Sequence, residues 1–557
     1  MSAWFFASLR GYGAQSLPGD LVAGLMLAAI AIPGQLATAR LAGMPPEAGL
    51  YAFAAGSLAF AAFGANRYMS VAADSTIAPV FAGGLSSIAA SGSGHYLELA
   101  SLLALLVGIV LVIVGLMRAG WLATLLSIPV TTGFLAGISI HIIIGELPGL
   151  LGISANPGHL LFRLVDIAQR INEANPYTLA LGGGVLAVTI AAGWISHRIP
   201  GALIGLVGAG VAVAMLHLGS YGVSLVGPLS VSVPSLTMPV PLDGSELSHL
   251  LLLALIVAMV CMMQTAAVAG TFPSDEGESE NVSRDFAGVG AGSILAGLIG
   301  AFAVDASPPS TAIVRESGGR SQIASLTAVG LMIALVAFAA KLTAYLPHAV
   351  LSGILVYIAL RIFRLGEMIR IYRRGGREIL LVIASGGLVV ALPIDTGMLL
   401  AIVLSFIHSL YIVARPRCVE LARMPGTTVW WPPSGTEKGE KKSGVLVFAP
   451  RAPLNFTNAA YIAERIKAAI AAQPQAVRLL VIEASGITNI DYTASQILQQ
   501  TVSDLRAKGA TVALARLSDP GAQTEARRSG FIDAFGADHV FMSVEEAVQK
   551  LAPSGGC

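Results

Sequence analysis

The sequence predicts an α-helical polytopic membrane protein, with about 14 spans in two inverted sets of seven, followed by a small cytoplasmic α/β domain. Three observations carry that prediction. The chain of 557 residues is 55% hydrophobic and only 12% charged, with a mean hydropathy of +0.76, a balance that soluble classes do not show. Two polar, proline-bearing segments interrupt the apolar runs, one in each half: Asp74-Ser75-Thr76-Ile77-Ala78-Pro79 and Asp305-Ala306-Ser307-Pro308-Pro309-Ser310-Thr311-Ala312-Ile313. Composition changes at Arg415, after which short strand-like and helix-like patterns alternate.

Apolar spans are read at about 18–40, 49–65, 72–90, 98–118, 121–150, 177–195, 200–217, 247–271, 285–303, 308–318, 321–341, 344–363, 378–393 and 396–414. Those at 72–90 and 308–318 begin in polar residues and are too short or too broken for a full crossing at ~1.5 Å per residue. They are the third and the tenth spans, so each takes third place in a set of seven. An odd number of spans per set turns the second set upside down relative to the first. Polar backbone at membrane depth is costly unless it lines a cavity. The pair therefore predicts a central site where two interrupted helices meet.

Cations set the sidedness. Arg361, Arg364, Arg370, Arg373, Arg374 and Arg377 follow the twelfth span; Arg118, Arg198, Arg315, Arg320, Arg415 and Arg417 fall in loops of the same parity. The opposite loops carry mainly Arg163, Arg170 and Lys341. The positive-inside rule puts both termini in the cytoplasm and the polar stretch 219–246 outside. The Arg361–Arg377 cluster reads as topology and lipid contact rather than substrate binding. The acidic run Asp275–Glu280 reads as a solvated loop. A net charge of +1 gives no reason to expect nucleic acid. Cys261, Cys418 and Cys557 are too scattered for a disulfide framework or a metal knuckle. The N-terminal residues lack a cleavable-signal pattern. The expected location is a bacterial inner membrane.

The domain organisation predicted is a transmembrane unit over 1–415, a linker over 416–442 containing Trp430-Trp431-Pro432-Pro433, and a soluble domain over 443–557. Within the last, Gly444–Arg451, Arg478–Glu483 and Ala510–Arg516 pattern as strands; Asn458–Ala472, Tyr492–Lys508 and Val544–Leu551 pattern as helices. That alternation is one small α/β fold.

Several stretches resemble the SulP anion permeases over nearly the whole chain. They include Gly19-Asp20-Leu21-Val22-Ala23-Gly24, Ala31-Ile32-Pro33, Leu41-Ala42-Gly43-Met44-Pro45-Pro46, Gly49-Leu50-Tyr51, Phe63-Gly64 with Ser70-Val71, and Tyr345-Leu346-Pro347 with Ala349-Val350-Leu351. The soluble tail resembles a STAS domain through Ile482–Ile487, Ile490-Asp491-Tyr492-Thr493-Ala494 and Arg528-Ser529-Gly530-Phe531. The resemblance implies a core domain and a gate domain, an anion site between the N-terminal ends of the third and tenth helices, and an elevator-like homodimer. Two helix N-termini aimed at one point are a natural anion site.

The chain departs from that pattern where it matters. Asp74 stands where a proline is common, Ser310 where many members carry an arginine between serine and threonine, and Gln264-Thr265 where many carry Glu-Ser. The site has thus exchanged a cation and an acid for two acids, Asp74 and Asp305. Two carboxylates beside a bound anion repel it unless protonated or paired with a cation. One reading is H⁺ coupling through Asp74 or Asp305; another is Na⁺ held by their oxygens with Thr311 or Ser75 hydroxyls. A substrate closer to a neutral nucleobase is a third, which the STAS tail argues against.

Candidate substrate contacts are Gln35, Ser75, Thr76, Ser310 and Thr311; candidate coupling-ion residues are Asp74, Asp305, Gln264 and Thr265. Each has a structural alternative. Asp is a common helix cap, Gln264 and Thr265 suit interhelical hydrogen bonds, and Ser and Thr hydroxyls often bond back to their own helix. His141 and Glu146 on the fifth span read as structural, close to a helix end. Thr493, at a helix start, is a candidate phosphosite. No phosphate loop, nucleophile triad, metal spacing or cofactor motif occurs, which argues against an enzyme. The function expected is secondary active transport of a small anion such as sulfate, bicarbonate or a carboxylate. The alternatives are an uncoupled exchanger or channel, and a membrane-anchored sensor whose STAS domain engages a cytosolic partner.

Overall fold

The computed structural model describes all residues except 1–4, 7–8, 10–11, 122–126, 155–159, 197–198, 227–242, 274–280, 340–344, 375, 377, 434–438 and 553–557. Outside the described residues lie the acidic run, most of the loop 219–246, Arg198, Lys341, Arg377, Cys557 and the middle of the expected linker. The chain divides into two units, Met1–Phe406 and Ile407–Cys557.

The first half of the membrane unit contains α1 (Leu17–Leu41), α2 (Pro46–Phe63), β1 (Val71–Ala72), α3 (Ala78–Ser86), α4 (Gly94–Leu116), α5 (Ile128–Leu151), α6 (Leu160–Gln169), α7 (Pro176–Ile195) and α8 (Gly201–Leu216). The second contains α9 (Gly244–Thr271), α10 (Val282–Leu298), β2 (Asp305–Ala306), α11 (Pro308–Glu316), α12 (Ile323–Ala339), α13 (His348–Ile362), α14 (Leu365–Arg373), α15 (Glu378–Ala391) and α16 (Ile394–Ala414). Leaving aside the short α6 and α14, these supply the 14 expected spans in order. The third and tenth are half-helices. At nine residues each, α3 and α11 extend only ~13.5 Å, less than half a hydrocarbon core.

The sequence reading did not anticipate α6 and α14. Each follows the fifth span of its half, and each has apolar residues on one face and charges on the other (Arg163 and Asp166; Glu367, Arg370 and Arg373). Neither is long or uniformly apolar enough to register in a hydropathy scan for spans.

Packing sorts the spans into two bundles. In one, α10 lies along α4 and α2, α1 along α12 and α2, and α9 along α4; in the other, α5 lies along α15 and α13, and α7 along α13 and α8. The bundles correspond to the expected core and gate domains, and they meet where α1 faces α13 and α8. Small residues allow the close approach. A Cβ on Gly108 of α4 would stand 2.6 Å from the Gly290 carbonyl oxygen of α10, and one on Gly290 would stand 2.7 Å from the Gly108 oxygen. In a membrane, where lipid is as apolar as leucine, such backbone contact is a main source of helix association.

In the soluble unit, β3 (Cys418–Arg423), β4 (Trp430–Trp431), β5 (Val445–Pro450), β6 (Leu479–Glu483), β7 (Thr511–Ala515) and β8 (Val540–Phe541) form one sheet in the order β4-β3-β5-β6-β7-β8. Strands β5 to β8 run parallel. Helices α17 (Ala459–Ala471), α18 (Tyr492–Ala507), α19 (Pro520–Arg528) and α20 (Phe531–Phe535) contribute to the apolar core that contains Leu446, Phe448, Leu480 and Ile482. Helix α21 (Val544–Leu551) contributes to the one that contains Val447, Ala449 and Val481. Burial on both faces explains why these strands read as continuous apolar runs.

The expected linker 416–442 is corrected here. It contains β3 and β4, and β3 pairs antiparallel with β5 through Val419↔Ala449 and Leu421↔Val447. Its charged residues disguised a strand that the two-residue β4 covers on its outer side only at Ala422 and Arg423, where polar side chains are tolerated.

Candidate functional site

The two half-helices are joined at their starts. Strands β1 and β2 pair antiparallel, Val71 opposite Ala306 and Ala72 opposite Asp305. Ser307 N–H donates to Ser70 O at 2.9 Å. Ser70 N–H in turn donates to Thr311 Oγ1 at 3.0 Å, and that hydroxyl donates to Ser307 O at 2.8 Å. Extended backbone at this depth is possible because each strand satisfies the other's amides. Thr311→Val removes the acceptor for a buried N–H. Expected is a loss of about 1–3 kcal/mol of stability, read as a lower melting temperature of the purified protein.

A cavity of about 370 Å³ lies against this joint, between α1, the turn before α3, the start of α11, and α13. Its polar lining includes Gln35, Thr38, Asp74, Ser75, Thr76, Gln264, Ser307, Ser310, Tyr357, Arg361 and Arg364. Gln35 is held flat against the joint: its Nε2 donates to Ala73 O at 3.1 Å and its Oε1 accepts from Ala73 N at 3.1 Å. Asp74 Oδ1 accepts from Thr76 N at 2.8 Å and from Thr76 Oγ1 at 2.6 Å. Gln264, reaching over from α9, donates to the same Thr76 hydroxyl. A line of donors thus runs from α9 to the Asp74 carboxylate.

Six of the nine transport residues singled out from sequence therefore line one cavity: Gln35, Asp74, Ser75, Thr76, Gln264 and Ser310. Three do not. Asp305 is fully buried behind the joint, with Oδ1 accepting from Ala306 N at 2.7 Å and Oδ2 without a partner among the described residues. Thr311 is the cross-link just described. Thr265 is fully buried and its hydroxyl has no partner among the described residues. Neighbours in sequence parted here because Gln264 and Thr265 sit about 100° apart around α9, so one faces the cavity and the other the bundle.

Two cations were missed. Arg361, on the last turn of α13, and Arg364, just beyond it, line the cavity, although the sequence reading assigned the Arg361–Arg377 cluster to topology and lipid. The available signal was their spacing: the two arginines lie about one helical turn apart at the end of a span. His141 Nε2 donates to Val389 O at 2.8 Å, and Glu146 stands 3.8 Å from Arg40. Neither lines this cavity, in keeping with their structural reading. In the soluble unit Thr493 is exposed in the first turn of α18, next to Asp491, which caps that helix by accepting from Ala494 N at 2.7 Å.

Residues 17–385 match the sulfate permease family, and residues 439–547 match the STAS domain. The chain is 33% identical over 543 residues to a probable sulfate transporter of Mycobacterium tuberculosis, covering 97% of this chain and 96% of that protein. It belongs to the sulfate permease family. Another similar relative is the chloroplastic sulfate transporter 4.1 of Arabidopsis thaliana, 24% identical over 548 residues, with 95% and 79% covered. The fold of this sulfate permease is that of SLC26A9, with a TM-score of 0.87 at 19% identity over 97% of this chain and 91% of that one. The transmembrane domain of the cyanobacterial bicarbonate transporter BicA matches at 0.61 and 22% identity, over 71% and 97%. A sulfate permease is an integral membrane transporter and not an enzyme.

Proposed function

We propose that this sulfate permease carries a small oxyanion, with sulfate, bicarbonate and carboxylates as the class, by exposing the cavity beside the β1–β2 joint alternately to the two sides of the membrane. The observation that carries the reading is the cavity itself. It lies on the boundary between two helical bundles, at the starts of two half-helices, and it holds one carboxylate and two guanidiniums. A site on such a boundary opens or closes when one bundle shifts against the other. The relatives named as sulfate transporters support the substrate class. The arginine distribution supports cytoplasmic termini, and the family fold supports a homodimer.

Transport is coupled to H⁺, and Asp74 is the coupling group. It is the acid that lines the cavity, and Gln264 contributes no charge that would favour a metal ion there. Asp305 is buried behind the joint and stays out of the cavity lining. The test is uptake of labelled sulfate and bicarbonate into proteoliposomes under imposed pH and Na⁺ gradients. Expected is a wild-type rate that follows the pH gradient, and an Asp74→Asn rate at least about tenfold lower that no longer responds to it. Flux indifferent to both gradients selects an uncoupled exchanger or channel, and dependence on Na⁺ alone selects cation coupling. A chain that binds a cytosolic partner but moves none of these anions is a sensor.

A further inference from the structure

We propose that the charge of the anion is met by Arg361 and Arg364, carried by α13 and the α13–α14 junction, and not from α11. The inference rests on the anion-transport reading above. Four observations on this chain support it.

The half-helix ends offer little free positive charge. At α3, Asp74 Oδ1 already takes the Thr76 N–H and hydroxyl, so a carboxylate of the protein occupies the place where an anion would sit. At α11, the first two residues are Pro308 and Pro309, which have no N–H. Ser310, the first residue of that helix able to donate from its backbone, is also the position that has exchanged arginine for serine.

The arginines reverse the sign of the cavity. Among the described residues its lining without them holds one acid and no cation; with them it holds two guanidiniums against one carboxylate. An anion entering the first environment meets net repulsion, and in the second it meets net attraction.

The Arg361 side chain and the backbone that carries Arg364 are both positioned. The Arg361 guanidinium carbon stands 6.0 Å from the centre of the Tyr357 ring, itself part of the lining. Arg364 sits at φ 46°, ψ 42°, in the left-handed region, where it ends α13 and starts α14. The left-handed turn directs the chain at this point, and the Arg364 side chain is part of the cavity lining. A planar guanidinium matches an oxyanion with two parallel hydrogen bonds, which an ammonium does not.

The arrangement also divides the site. The half-helix starts belong to one bundle and the arginines to the other. Sliding one bundle past the other therefore pulls the cations away from the half-helix starts. The same displacement that opens the site lowers its affinity, and the anion is released.

The test is sulfate and bicarbonate uptake by the full chain in proteoliposomes, with KM and maximal rate measured separately. Expected for Arg364→Gln and Arg361→Gln is a KM raised about tenfold with a smaller change in maximal rate, and for the double variant a larger rise. Arg364→Lys recovers part of the loss, because it keeps the charge but not the fork. Adding Ser310→Arg to the double variant restores uptake by returning a cation to α11. Arg370→Gln, on α14 and outside the cavity lining, serves as the unchanged reference. A double variant that elutes as folded protein and keeps the wild-type KM overturns the arginine assignment while leaving anion transport standing. Failure of the wild-type chain to move either anion removes the reading on which the assignment rests.

Discussion

Gly49→Ala is expected to abolish uptake and to lower stability by about 3 kcal/mol, at the upper end of what overpacking costs. A Cβ at Gly49 would stand 2.2 Å from the Gln35 carbonyl oxygen and 2.9 Å from its carbon. Both are backbone atoms inside α1, so no side-chain rotation relieves the clash, and α1 and α2 must separate. Gln35 is the residue whose amide is paired with both backbone groups of Ala73. Bringing that 2.2 Å contact out to an ordinary one takes a shift of about 1 Å, which reaches Asp74 next door. Melting of the purified variant and sulfate uptake at matched incorporation check the two halves of this expectation. Gly183→Ala is the comparison: nothing lies within 4 Å of a Cβ there, and both readouts should be unchanged. If Gly49→Ala melts and transports like wild type, Gln35 does not position Asp74.

Asp20→Ala is expected to cost about 3–4 kcal/mol. Asp20 is fully buried near the start of α1. Its Oδ1 accepts from Arg320 N at 2.6 Å and Ser321 N at 3.1 Å, and its Oδ2 accepts from the Ser321 hydroxyl at 2.7 Å. Alanine leaves two backbone N–H groups and a hydroxyl without their acceptor, each worth ~1–3 kcal/mol when stranded, partly offset by water where Arg320 is exposed. Asparagine keeps one carbonyl oxygen that can accept from both N–H groups, so Asp20→Asn should recover more than half of the loss. Thermal unfolding of the three proteins decides it. Equal melting of Asp20→Ala and wild type would mean that this tie between α1 and α12 contributes nothing.

Most of the fold was legible because a bilayer imposes strong rules. A span must be apolar for about 20 residues, and a polar break within one must be buried in protein or wet. Asp74 and Asp305 stood out for that reason, seven spans apart, and β1 and β2 do join those two breaks. The strands of the soluble unit were legible because both faces are covered. The charged strand β3 was not, since it lies next to the sheet's edge, covered there only by the two-residue β4, and such a position imposes no apolar pattern.

The site was legible only in part. Sequence alone determined which segments carry polar groups to membrane depth, because burying such groups without a purpose costs several kcal/mol each. Which of those groups face the cavity was decided by the tertiary structure. A two-residue strand pairing turned Asp305 to the back of the joint while Asp74, just past its partner strand, reached the front. A rotation of about 100° per helical residue separated Gln264 from Thr265. The contribution of Arg361 and Arg364 was the furthest from view. Their place beside residues almost 290 positions upstream is a property of two bundles meeting, and local propensity and hydropathy contain no information about which distant surfaces come into contact.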